Sequence, residues 1–174
     1  MVAMAALTLV PQDAVGQISR EEALGLVYPA AEIRAERVFL TEDEQQRAEA
    51  LAGAPLSTQL VARYVAARGS AVVGRAYVDT HTIRSKRETL LVSLDASGAV
   101  IRVDVTAFLE PAEYLAPGVW LEQYRSQRLS DELRLQRAIR PLAGATLTAR
   151  ATNQAVRRIL AIDQVLERAG AERP

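Results

Sequence analysis

Between Thr58 and Phe108 the chain passes through four extended-type segments in succession with nothing helical between them, and that run limits the fold more than any other feature. Thr58 to Ala66 alternates around Leu60, Ala62, Tyr64 and Ala66, and an Arg68-Gly69-Ser70 turn leads into Ala71 to Val78. Thr89 to Asp95 and Val100 to Phe108 form a hairpin around Ala96-Ser97-Gly98. Strands joined by tight turns pair antiparallel, because parallel pairing needs a crossover of a dozen or more residues. Before this run, Ser19 and Glu22 stand at capping-box spacing ahead of a short helix over 19–28 that Pro29 stops. Ile33 to Leu40 alternates as a strand, and Thr41 to Glu44 is a second capping box whose helix ends near Gly53. A helical stretch around Val119 to Arg125, an irregular polar segment to Arg140 and a final helix from Ala149 to Leu166 complete the pattern. On that helix Val156, Ile159, Leu160 and Ile162 make the apolar face, and Arg150, Arg157 and Arg158 read as a solvated one. The expected class is α+β, an antiparallel sheet of hairpins packed with helices.

At 174 residues the chain suits a single domain, placed over 18–168 between a leader (1–17) and a frayed tail (169–174). The 21 basic and 21 acidic side chains cancel, which argues against nucleic acid, whose binding needs a basic surplus to displace counterions. With no cysteine and one histidine, disulfides, iron–sulfur ligation and thiolate zinc sites are excluded, so any redox chemistry calls for an organic cofactor. Val2 to Val10 is apolar and is followed by Pro11 and Ala14-Val15-Gly16, as in the apolar region and cleavage site of a secretory signal, although the first basic residue is Arg20.

The segment Arg140-Pro-Leu-Ala-Gly-Ala-Thr-Leu-Thr148 runs directly into the final helix. Gly144 lets backbone approach closely, the first free amides of the helix face any anion there, and Thr146 and Thr148 add hydroxyls. The residues fit two readings, a plain helix cap or an anion site with a threonine inside it. No P-loop, nucleophile elbow or dinucleotide glycine fingerprint is present.

The same segment resembles the flavinylation motif of the bacterial FMN-binding domain family, which includes the G subunit of Rnf complexes and the C subunit of Na+-translocating NADH:quinone reductases. In that motif, Ser/Thr-Gly-Ala-Thr, the threonine carries FMN through a phosphoester. Gly144, Ala145 and Thr146 match it, Leu147 and Thr148 continue it, and Ala149 to Ala161 is similar to the helix that follows, including its Ala-Val-Arg. Two positions depart from it: Ala143 stands for the usual Ser or Thr, and Arg140 for an upstream Asp. Ala107-Phe-Leu-Glu-Pro111 and Trp120-Leu-Glu-Gln-Tyr124 are similar to a strand, loop and aromatic helix of the family. Tyr77-Val-Asp-Thr-His-Thr-Ile-Arg84 matches its small extracytoplasmic branch.

The resemblance implies an extracytoplasmic carrier on the outer face of a membrane or in the periplasm. FMN would be esterified to Thr146 by a separate flavin transferase, and electrons would pass between membrane-associated redox proteins. Glu110, Pro111, Tyr114 and Trp120 would lie near the isoalloxazine, with Tyr114 free to stack on it. His81 and Arg84 would meet the pyrimidine edge or ribityl chain, and Arg140 would pair with the phosphate. Other readings stay open: Tyr114 and Trp120 as aromatics at a core edge, Asp79 and Thr80 as caps of their own turn, and the whole chain as a flavin-free interaction module or a small flavin reductase.

Overall fold

Ser19 opens helix α1 (Arg20–Val27) by accepting the Glu22 amide on its hydroxyl. Strand β1 (Glu32–Phe39) leads to helix α2 (Glu42–Ala52), which has a complete capping box between Thr41 and Glu44 and a left-handed Gly53 at its end. Four strands follow, β2 (Leu60–Arg68), β3 (Ala71–Thr82), β4 (Arg87–Asp95) and β5 (Val100–Phe108), then a one-turn helix α3 (Gly118–Leu121) and the long helix α4 (Thr146–Ala171). In the computed structural model, which describes residues 17–171, the five strands form one antiparallel sheet in the order β1-β2-β3-β4-β5. The α+β class expected from the hairpin run is the one observed.

Period-two alternation sends residues to both faces of the sheet, and both are covered. On one face Leu90, Val92 and Leu94 of β4 meet Val156, Ile159 and Leu160 of α4, with Ala48 and Ala52 of α2 in the same core. On the other face Ala23 and Leu24 of α1, with Tyr28 just past its end, lie over Ala66, Ala76 and Leu91. The outer edge of β5 is met by the chain itself: Ile18 donates to the Val105 carbonyl, Ser126 donates to the Val100 carbonyl, and the Val100 amide donates to the Gln127 carbonyl. At the opposite edge β1 carries Glu32, Arg34, Glu36 and Arg37, a charged rim that discourages pairing with another sheet.

Several boundaries differ from the sequence expectation. Helix α4 begins at Thr146 rather than Ala149, because the Ala145 carbonyl already accepts the Ala149 amide. It also runs through Gly170 to Ala171, beyond the expected end at Leu166 and into the expected tail. Strand β3 continues past Val78 to Thr82, because Asp79 to Thr82 pair with Arg87 to Leu90 across the sheet. Asp79 and Thr80 therefore cap no turn of their own. The stretch over 119–125 is α3 followed by a 3-10 turn, Glu122–Tyr124. Residue 17, assigned to the leader, bonds the Phe108 carbonyl through its side chain, while residues 1–16 and 172–174 lie outside the described residues.

Of the three arginines read as a solvated face, Arg150 is exposed, but Arg157 and Arg158 are held against the body of the protein. Arg157 is buried and donates to the carbonyls of Leu51, Ala52, Ser130 and Leu133, tying α4 to the end of α2 and to the loop before it. Arg158 makes a two-pronged bond to Asp79 of β3 at 2.8 and 2.9 Å. Their guanidinium groups reach past the helix to acceptors that only the assembled fold supplies.

Candidate functional site

Three segments distant in sequence meet at the start of α4. The β3–β4 turn brings Ile83 and Arg84, the segment after β5 brings Glu110 and Tyr114, and the helix start brings Gly144 to Thr148. Together they line a cleft of about 170 Å³. Among the described residues, no helix is long and apolar enough to cross a membrane.

Each wall is held by identifiable bonds. One oxygen of Glu110 accepts the amides of Arg84, Ser85 and Lys86 at 3.2, 2.8 and 2.8 Å, which fixes the turn against the end of β5. The Ser85 amide, followed by that of Lys86, holds the Glu110 carboxyl below its usual range. The Arg84 guanidinium lies 5.1 Å from the centre of the Tyr114 ring. On the other side the Thr148 hydroxyl donates to the Tyr114 carbonyl at 2.8 Å, stitching the first turn of α4 to the same segment.

The floor of the cleft is a helix start. Gly144 takes a positive φ of 77°, the left-handed turn that lets the chain enter α4, and a Cβ there would meet nothing within 4 Å. The amides of Thr146, Leu147 and Thr148 precede the first helical bond, which Ala149 makes, and so point outward at the positive end of a 26-residue helix. Thr146 is exposed, whereas Thr148 is buried with its hydroxyl committed to Tyr114. An anion here meets outward amides, the Arg84 guanidinium and one available hydroxyl, that of Thr146.

Eight of the residues singled out in the sequence converge on this cleft: Arg84, Glu110, Tyr114, Gly144, Ala145, Thr146, Leu147 and Thr148. Five do not line it. Trp120 is a core residue; its indole N–H donates to the Arg140 carbonyl at 2.9 Å and its ring meets Tyr124 edge-on. Arg140 is held by its main chain, between Trp120 and the Gln123 side chain, and its exposed side chain lines no part of the cleft. Pro111 caps the 3-10 turn Ala112–Tyr114, and Ala143 sits exposed before Gly144.

His81 is the largest departure. Its side chain points under α4, with Nδ1 2.8 Å from Asp79 and Nε2 3.0 Å from Glu88. Both ring nitrogens are thus engaged within the protein. Burial alone would lower the imidazole, but the hydrogen bonds to Asp79 and Glu88 outweigh it and hold the ring above its ordinary value. Glu88 belongs to no motif in the sequence, and its one signal is that it shares the β4 period of the inward-facing Leu90, Val92 and Leu94. Ile83, also in the cleft wall, has no polar atom to mark it in the sequence.

FMN can be tested against this geometry through its two ends. At the phosphoryl end, the outward amides, the Arg84 guanidinium and the exposed Thr146 hydroxyl line the same cleft, a donor set suited to an anion. The cleft is smaller than the roughly 300–1,000 Å³ that encloses a drug-sized ligand, so a flavin ring would lie across the mouth, beside Tyr114 and Ile83. Comparison of the chain with protein-family models, curated proteins and solved structures finds no match.

Proposed function

We propose that the protein is an extracytoplasmic FMN carrier, with the flavin joined through its phosphate to Thr146. One observation carries this reading: the fold gathers the helix start at Gly144 to Thr148, the Arg84 turn and the Glu110–Tyr114 segment around a single exposed threonine hydroxyl. Bound FMN supplies one- or two-electron redox chemistry. The chain's own residues bind and expose it: the α4 amides and Arg84 hold the phosphoryl end, and Glu110 keeps the Arg84 turn in place. A separate flavin transferase would form the bond from Thr146 Oγ1 to the flavin-side phosphorus of a flavin dinucleotide donor, breaking the donor's pyrophosphate P–O bond. The nucleoside monophosphate is the leaving group, and the hydroxyl proton passes to solvent. A ring across a shallow mouth is open to membrane-associated donors and acceptors, which suits a relay better than an enclosed enzyme.

The test is intact mass after co-expression with a flavin transferase. The expected gain is about 0.44 kDa, one FMN less one water, and Thr146→Ala abolishes it. Thr148 is not expected to substitute, since its hydroxyl is buried and bonded to Tyr114. Yellow protein without the mass gain means non-covalent FMN, and colourless protein overturns the flavin reading. The flavin-free module draws on one observation, that the Arg84 guanidinium already lies over Tyr114, and colourless protein is its expected result.

A further inference from the structure

A line of charged and polar side chains crosses the interface between the sheet and α4. Arg158 of α4 holds Asp79 of β3, Asp79 holds His81, His81 reaches Glu88 of β4, and Glu88 accepts the Thr152 hydroxyl of α4 at 3.3 Å. Glu88 is fully buried, and its second carboxylate oxygen has no partner. The neighbouring strands add no charge at this level: Val61 of β2 lines the same cavity as Asp79 and Arg158, and Phe108 of β5 lies opposite Glu88, both buried and apolar. Among the described residues, Tyr124, from the 3-10 turn after α3, is a further titratable group near Glu88, and burial raises its phenol.

The arrangement asks for one proton. Both ring nitrogens of His81 face carboxylate oxygens, and a neutral imidazole carries a single N–H. Only the imidazolium donates to both. Asp79 and Glu88 then balance His81 and Arg158, two charges against two. Loss of the proton removes one of the two bonds and leaves an uncompensated negative charge in the interior.

The position of the pair gives this a consequence for the cleft. His81 and Glu88 are partners in the β3–β4 ladder, one pair back from the closing pair Thr82 and Arg87. The turn between them carries Ile83 and Arg84, one wall of the cleft. Glu88 also grips Thr152, one helical turn beyond Thr148, on the element that forms the other wall.

We propose that His81 is a pH-operated latch on the cleft: as the imidazolium it bridges β3 and β4 beneath α4 and holds the two walls in register, and on losing its proton it releases them. The proposal stands whatever occupies the cleft. It is tested on untagged protein without added cofactor, in which the single histidine gives one imidazole Cε1–H resonance by NMR. The expected titration midpoint lies above the 6.5 of an ordinary imidazole, and the backbone amides of Ile83 to Lys86 and Thr146 to Thr148 shift with the same midpoint. In Glu88→Gln the imidazole faces one carboxylate instead of two, so its midpoint moves down and the cleft resonances follow it. A wild-type midpoint at or below 6.5 overturns the proposal, and so do cleft amides that stay still while His81 titrates.

Discussion

Gly74 shows how much one side-chain choice can decide. The Tyr28 ring of the segment closing α1 lies flat against this position, with its hydroxyl 2.7 Å from the Arg75 carbonyl and 2.8 Å from that of Leu94. A Cβ at Gly74 would fall 2.4 Å from Tyr28 Cε1 and 2.5 Å from the Leu94 oxygen. The ring can turn away only by giving up those carbonyls, and the backbone oxygen is fixed in the ladder. Gly74→Ala is therefore expected to lower the unfolding free energy by about 1–3 kcal/mol, the usual range for overpacking, read by urea denaturation. Tyr28→Phe, which removes only the hydroxyl, should cost about 1 kcal/mol. A neutral Gly74→Ala would mean that the tyrosine is not seated there.

Among elements, α4 carries the molecule, because it touches the sheet, α2 and the loop that follows α3. Two buried arginine clusters fix its seating. Arg75 of β3 forks onto Asp163 of α4 at 2.6 and 3.0 Å, and the Tyr77 hydroxyl adds a third bond to the same carboxylate. Arg157 supplies the donors for carbonyls at the end of α2 and in the 130–133 loop. The Leu51 and Ala52 carbonyls sit where α2 has run out of amides, so the guanidinium satisfies groups that no helix bond can. Arg157→Met keeps the apolar stem and removes the donors. It is expected to lower stability by about 3 kcal/mol, the upper end for an orphaned buried acceptor, with amide exchange accelerating first at the end of α2.

For the whole molecule, acids and bases cancel, so neutral pH brings little general repulsion and pH sensitivity resides in buried clusters. Burial by itself would raise the Asp79 carboxyl, but hydrogen bonds from His81 and then Arg158 outweigh it and hold it below 3.8. Its contribution to stability is present above 3.8 and is lost as pH falls through the lower folded value. His81 has the opposite sign. Held above 6.5 in the fold, it contributes fully below 6.5, and that contribution is lost as pH rises through the folded value. Unfolding free energy against pH should therefore decline on the alkaline side, beginning above 6.5. His81→Gln should lower the neutral stability and flatten that alkaline decline; an unchanged alkaline limb would place its origin elsewhere.

The local features were legible in the sequence because their causes lie within a few residues. The capping boxes at Ser19 and Thr41, the turn at Ala96 to Gly98 and the hairpin alternation needed only near neighbours, and they carried the α+β class with them. The helix start at Gly144 to Thr148 was legible for the same reason. Tertiary structure decided which distant groups join it: Arg84 and Tyr114 come to the cleft, while Trp120, with its N–H on the Arg140 carbonyl, goes to the core. It also turned His81, Arg157 and Arg158 inward. A charged side chain on an otherwise polar stretch reads as solvated unless its partner is known, and here the partners stand across the fold: Asp79 is 79 residues from Arg158, and Ala52 is 105 from Arg157. Burial of such groups depends on charge compensation between elements, which periodicity along one element does not record.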